Sequence, residues 1–130
     1  MKRIDFENLI NNSSFSELFI TEMGWNNPSR SSSFIIPIDS VDYEFNPIAE
    51  KSGFHVYSCL LDEIPNAADC KKIDNKLRSY GYDYICIFVQ RNTSHHLWLT
   101  PVKTNEMREL VKIEYLDGAK ADFLFSKIDD

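Results

Sequence analysis

The sequence predicts a single α/β domain of the α+β type, in which helices flank a mixed β-sheet. The chain has 130 residues, which is room for one hydrophobic core. Its apolar fraction of 43% and aromatic fraction of 13% are values of a globular protein. Apolar segments of strand length alternate with segments of helical periodicity. We therefore expect residues 1–130 to form one domain.

The N-terminal part of the chain is predicted to be helical. Asp5 can cap a short turn, and Ser14 and Glu17 have the spacing of a capping box, whose side chains accept hydrogen bonds from the orphan amides of a first turn. Apolar residues follow on one helical face, and Gly24 is a helix stop. The next segment, Trp25–Ser33, is rich in Asn, Ser and Pro and is predicted to be a loop.

Three strands are predicted next. Phe34–Asp39 and Tyr43–Ile48 are short and joined by a tight acidic connection, and Pro37 favours an edge position for the first strand because proline cannot donate to a ladder. The third strand, Phe54–Leu61, places its even-numbered residues on one face. A loop with Pro65 follows.

The second half of the chain is predicted to begin with a helix over residues 69–80 that ends at Gly81. Its inward residues are Cys70, Ile73, Leu77 and Tyr80. Tyr84–Val89 is a continuous apolar run, which is typical of a central strand covered on both faces. The segment from His95 to Val102 is expected to pair back as a hairpin. Leu110–Leu116 is a further strand candidate.

The end of the chain is predicted to form a final helix over Ala119–Ile128. This helix has no stop signal before Asp130, and we therefore expect the sequence to be an N-terminal fragment of a longer protein.

Composition excludes several classes of protein. The chain lacks both a signal-peptide core and an apolar run long enough for a membrane span, so we expect a cytoplasmic protein without a membrane partner. The three cysteines are an odd set in apolar surroundings, which favours reduced structural thiols. The histidines lack the spacing of metal ligands, and no glycine-rich phosphate loop is present. We therefore expect no metal site and no cofactor.

One group of cations is the candidate surface for phosphate. The helix over residues 69–80 carries Lys71, Lys72, Lys76 and Arg78, and Arg91 and Arg30 are the further candidates for DNA binding. The net charge of −6 argues against strong sequence-independent binding of nucleic acid. A solvated helix face with ordinary charge pairs is the alternative interpretation.

The order helix-strand-strand-strand-helix-strand resembles the core of the PD-(D/E)xK nucleases. That resemblance implies an acidic residue on the second strand and a Glu-x-Lys on the third, which together hold a metal ion. The third strand has neither Glu nor Lys, so we expect no catalytic residues. An active, Mg²⁺-dependent nuclease stays open as the alternative, with an active site reassembled in space from Asp42, Glu44, Glu50 and Lys51.

Several strings carry a second resemblance. They are Leu18–Pro28 with Gly24-Trp25 at its centre, Ala49–Tyr57, Ile85–Val89 and Leu97–Leu99. This succession resembles the N-terminal domain of bacterial restriction–modification DNA methyltransferases of the type IIG kind, although Met23 and Asn26 replace the family's commoner Leu and Asp.

The second resemblance implies a non-catalytic accessory domain with a degenerate nuclease-like fold. Such a domain would position DNA, or it would position the remainder of the parent protein through an apolar patch around Trp25. An active metal-dependent endonuclease is the alternative, and a protein-interaction module without DNA contact is a second alternative.

Overall fold

The computed structural model describes residues 12–30, 32–81, 83–91, 96–101 and 121–125. They form a six-stranded sheet whose strand order follows the order in the chain. The strands are β1 (Phe34–Ile38), β2 (Val41–Lys51), β3 (Phe54–Leu61), β4 (Asp83–Gln90), β5 (His96–Thr100) and β6 (Ala121–Phe125). The pairs β3–β4 and β5–β6 are parallel and the other pairs are antiparallel. The predicted mixed sheet with flanking helices is thereby confirmed.

Helices cover both faces of the sheet. Helix α1 (Asn12–Ser16) continues as a π-helix over Glu17–Glu22 and packs on one face, where the core includes Phe15, Phe19, Trp25, Val56, Ile87 and Trp98. Helix α2 (Ala67–Arg78) packs on the other face, where the core includes Ile36, Phe45, Cys59, Ile73, Leu77 and Phe88. Strand β4 is buried from Tyr84 to Val89, as predicted for a central strand, because both layers contact it.

The β1–β2 hairpin forms the edge of the sheet at which Pro37 was predicted. Ile38 pairs with Val41 across a two-residue turn. The turn residues Asp39 and Ser40 have φ values of 47° and 71°, as a type I′ hairpin turn requires. Pro37 lacks an N–H and therefore makes the edge a poorer template for a further strand.

Helix α2 begins and ends two residues earlier than its predicted range of residues 69–80. The Asn66 side chain accepts a hydrogen bond of 2.8 Å from the Asp69 N–H, so Asn66 is the N-cap and the helix starts at Ala67. Ser79 is the C-cap, and Gly81 follows with a φ of 84°. The prediction that Tyr80 faces inward is wrong, because the residue lies beyond the helix and is 42% exposed.

Other predictions about single elements are also wrong. Helix α1 already includes Asn12, so Ser14 is not an N-cap and no capping box starts the helix there. Trp25, around which an apolar docking patch was expected, is only 3% exposed. Residues Ala121–Phe125 of the predicted final helix form strand β6 instead, which pairs in parallel with β5. Sheet pairing outweighs local helical preference here. The predicted turn at Asp5 and the strand at Leu110–Leu116 lie outside the described residues.

Candidate nucleic-acid interface

The cations predicted to bind DNA are concentrated on helix α2, whose amphipathic pattern fixes their direction. Its apolar residues turn Cys70, Ile73 and Leu77 into the sheet, where each is at most 1% exposed. Lys71, Lys72 and Lys76 are exposed as a consequence. We call the exposed surface of α2 that these three lysines form the outer side of α2. It presents three positive charges within about two turns of helix.

Several of the predicted cations already have acidic partners inside the domain. Lys72 forms an ion pair with Asp39 of the β1–β2 turn, which raises the pKa of the lysine. Arg78 lies 3.0 Å from the carboxylate of Asp74. An existing ion pair reduces the free energy that the cation can contribute to DNA binding, because a phosphate must then compete with the carboxylate that is already bound.

Lys71 and Lys76 differ from the other cations of the helix. Both are exposed, and neither forms an ion pair with another residue in the part of the chain that the structure describes. They are therefore the residues of the predicted set that are best able to meet a phosphate.

Arg91 borders an open cleft together with Asp42 and Glu44, two of the residues of the alternative nuclease. The cleft has a volume of about 640 Å³ and lies where β3 and β4 end, next to the first turn of α2. Its charged lining residues are Asp42, Glu44, Asp62, Glu63, Asp69 and Arg91. Arg91 pairs with Asp62 at 3.1 Å. Because carboxylates dominate the lining, this cleft repels phosphate.

The structure does not bring the four residues of the alternative nuclease together. Asp42 and Glu44 lie at the start of β2, whereas Glu50 and Lys51 lie at its end. Eight residues of extended chain separate Asp42 from Glu50, a distance of roughly 25 Å. Asp42 and Glu44 instead share the cleft with the carboxylate of Asp62.

Glu50 and Lys51 have roles in packing at their own end of β2. Glu50 accepts a hydrogen bond from the Ser29 N–H, which lowers the pKa of its carboxyl group. Its backbone also pairs with Asn26 through two hydrogen bonds of 3.0 Å. The Lys51 ammonium lies 5.9 Å from the centre of the Trp25 ring, within cation–π range. These contacts anchor the loop before β1 to the sheet.

Metal ligation and thiol chemistry have little support in the described residues. Among them, no three His, Cys, Asp or Glu side chains are arranged to hold a metal ion. The three cysteines are free and buried. Burial raises the pKa of Cys59 to about 12 and that of Cys70 to about 11, so both thiols stay protonated at neutral pH.

An aromatic group beside Arg30 was missed by the sequence prediction. The Arg30 guanidinium carbon lies 4.7 Å from the centre of the Phe34 ring. Phe34 makes edge contacts with Tyr57 at 5.1 Å and with Tyr80 at 6.0 Å. The signal available in the sequence was Tyr80 beside the helix-ending Gly81, since a residue at that position can leave the helical face.

Comparison with known proteins does not assign the chain to a family. No family model, curated protein or solved structure matches it. None of the described helices is long and apolar enough to cross a membrane.

Proposed function

We propose that this chain is a non-catalytic accessory domain of a cytoplasmic restriction–modification protein, and that it positions DNA through the outer side of α2. One observation carries the proposal: Lys71 and Lys76 are exposed beside Lys72, and neither is paired with another described residue. The sequence resemblance to the N-terminal domain of type IIG proteins supports the same assignment.

Charge explains how such a contact would act. Lysines on one helix can each approach a phosphate, and every phosphate that is neutralised releases counterions from the DNA. The net charge of −6 limits the strength of the interaction, and the acidic cleft repels the duplex. Weak binding with one allowed orientation suits a domain that orients DNA for a neighbouring catalytic domain.

Titration of a fluorescent 20-base-pair duplex with the purified chain tests the proposal. Two phosphate contacts, from Lys71 and Lys76, give a salt slope of about −1.8, so the affinity should fall about 12-fold between roughly 50 and 200 mM salt. The double variant Lys71→Ala/Lys76→Ala should lose most of this affinity and reduce the slope by about 1.8.

Lys51→Ala is the matched control, because it removes an exposed cation at the far end of β2. The duplex affinity of this variant should equal that of the parent chain. Absence of duplex binding at about 50 mM salt would overturn the proposal and favour the protein-interaction module without DNA contact.

A second candidate, a metal-dependent endonuclease, is favoured by the cleft that Asp42 and Glu44 share with Asp62. Under this alternative the three carboxylates would have to move closer together to bind Mg²⁺ and activate water, because no three acidic side chains of the described residues are arranged to hold a metal ion. Cleavage of plasmid DNA that requires Mg²⁺ and disappears in Asp42→Asn would establish it. Glu50→Gln should then cleave normally, because Glu50 lies at the other end of β2.

A further inference from the structure

The C-terminal end of α2 borders a surface that combines an exposed aromatic ring with cations. We call the group Arg30, Phe34, Lys76 and Tyr80 the aromatic strip. Tyr80 is 42% exposed, and its ring meets the edge of Phe34 at 6.0 Å. The Arg30 guanidinium lies 4.7 Å from the centre of the Phe34 ring, and Lys76, in the last turn of α2, precedes Tyr80 by four residues.

Contacts with the underlying core and with the end of α2 fix the position of the aromatic strip. Phe34 stacks on Phe45 with ring centres 5.5 Å apart and contacts the buried Tyr57 at 5.1 Å. The Tyr80 N–H donates a hydrogen bond of 3.2 Å to the carbonyl of Leu77, which holds the backbone of Tyr80 against the end of the helix. An aromatic side chain that is ordered in this way loses little conformational freedom when a ligand stacks on it.

We propose that the aromatic strip binds single-stranded DNA by stacking an unpaired base on Tyr80, while Arg30 and Lys76 meet the adjacent phosphates. The inference rests on the proposed DNA-positioning function and names single-stranded DNA as its substrate class. Aromatic rings beside cations form the usual platform for single strands, since every base has a π-face and every linkage carries a charge. A duplex offers no such base, because its bases stack on one another.

The two cations of the aromatic strip favour nucleic acid over an extended peptide as its ligand. Aromatic-lined grooves also bind proline-rich peptides, which lack negative charge in their backbone. Arg30, which lies over the Phe34 ring, and Lys76, which lies in the last turn of α2, favour a ligand with a phosphate next to its planar group.

Fluorescence anisotropy with three labelled ligands tests the inference. The ligands are a 12-nucleotide oligothymidine, an abasic oligonucleotide of equal length and charge, and a duplex. Oligothymidine should bind more tightly than the abasic strand. Tyr80→Ala should weaken the binding of oligothymidine roughly 5- to 150-fold, the usual effect of removing a stacking partner, and should leave the binding of the abasic strand and the duplex unchanged. Tyr80→Phe is the matched control and should retain binding, because it keeps the ring.

Failure of this inference is distinguishable from failure of the proposed function. Salt-dependent duplex binding, with equal affinity for oligothymidine and the abasic strand, overturns the inference and leaves the proposed function standing. Absence of binding to all three ligands overturns both. Binding of a proline-rich peptide that is lost in Tyr80→Ala, without binding of oligothymidine, also overturns the inference.

Discussion

The side of helix α2 that faces the sheet and the outer side of α2 differ in burial, charge and partners. On the inner side, Ile73 and Leu77 are fully buried, and Asp74 is 3% exposed. On the outer side, Lys71 and Lys76 are exposed. A single helix thus separates the residues that stabilise the fold from those available for a ligand. Substitutions on the two sides should have separable effects.

The largest expected effect is the loss of a large side chain from the inner side. Ile73→Ala removes atoms from the core between α2 and the sheet, so the free energy of unfolding should fall by about 2–5 kcal/mol. Urea unfolding followed by circular dichroism measures this change. Asn75→Ala, on the exposed surface of the same helix, is the control and should stay within about 0.5 kcal/mol of the parent chain. Equal losses in both variants would contradict the distinction between the two sides.

The next effect concerns the buried polar contact of the inner side. Asp74 accepts a hydrogen bond from the Tyr84 hydroxyl and pairs with Arg78. Asp74→Ala leaves the buried hydroxyl without this acceptor, so the free energy of unfolding should fall by about 1–3 kcal/mol. In the background of Tyr84→Phe the same substitution should cost less, because no hydroxyl remains to be satisfied. Additive losses in this double-mutant cycle would show that the contact contributes nothing.

A smaller effect appears at alkaline pH. Burial, with a contribution from nearby Asp69, raises the pKa of the Cys70 thiol from 9.0 to about 11. Below pH 9 the thiol is protonated in both states, whereas between pH 9 and 11 it ionises in the unfolded chain alone. The free energy of unfolding should therefore fall as the pH rises, by roughly 1–2 kcal/mol for this group between about pH 8.5 and 10.5.

Cys70→Ala supplies the control for the alkaline effect. Urea unfolding at about pH 8.5 and about pH 10.5 should show a smaller loss of unfolding free energy in this variant than in the parent chain. An equal loss would mean that Cys70 does not ionise preferentially in the unfolded chain.

The inner side of α2 was largely predictable from sequence, whereas the outer side was not. Burial of Cys70, Ile73 and Leu77 follows from helical periodicity, which depends on local spacing alone. The pairing of Lys72 with Asp39 joins residues 33 positions apart and depends on the hairpin turn. The contact of Tyr80 with Phe34 likewise needs the packing of α2 beside β1.

Prediction from the local sequence pattern also failed at the last strand, because this strand too depends on a tertiary contact. Ala121–Phe125 has no clear strand alternation, and its pairing with β5 is a tertiary contact that the sequence does not display. The same limit applies to the acidic cleft, which Asp42 and Asp62 line from segments twenty residues apart.

The smallest expected change tests whether an acidic neighbour limits the outer side of α2. Asp39→Asn removes the carboxylate that pairs with Lys72 and keeps a residue that tolerates the positive φ of 47°. The freed ammonium can then meet one more phosphate, so duplex DNA should bind more tightly, with a salt slope steeper by about 0.9. The midpoint of urea unfolding should not move, because the pair is exposed. Asp62→Asn is the matched control: it frees Arg91 in the acidic cleft and should leave the slope unchanged. An equal increase in both variants would mean that net charge, rather than the outer side of α2, controls the interaction with DNA.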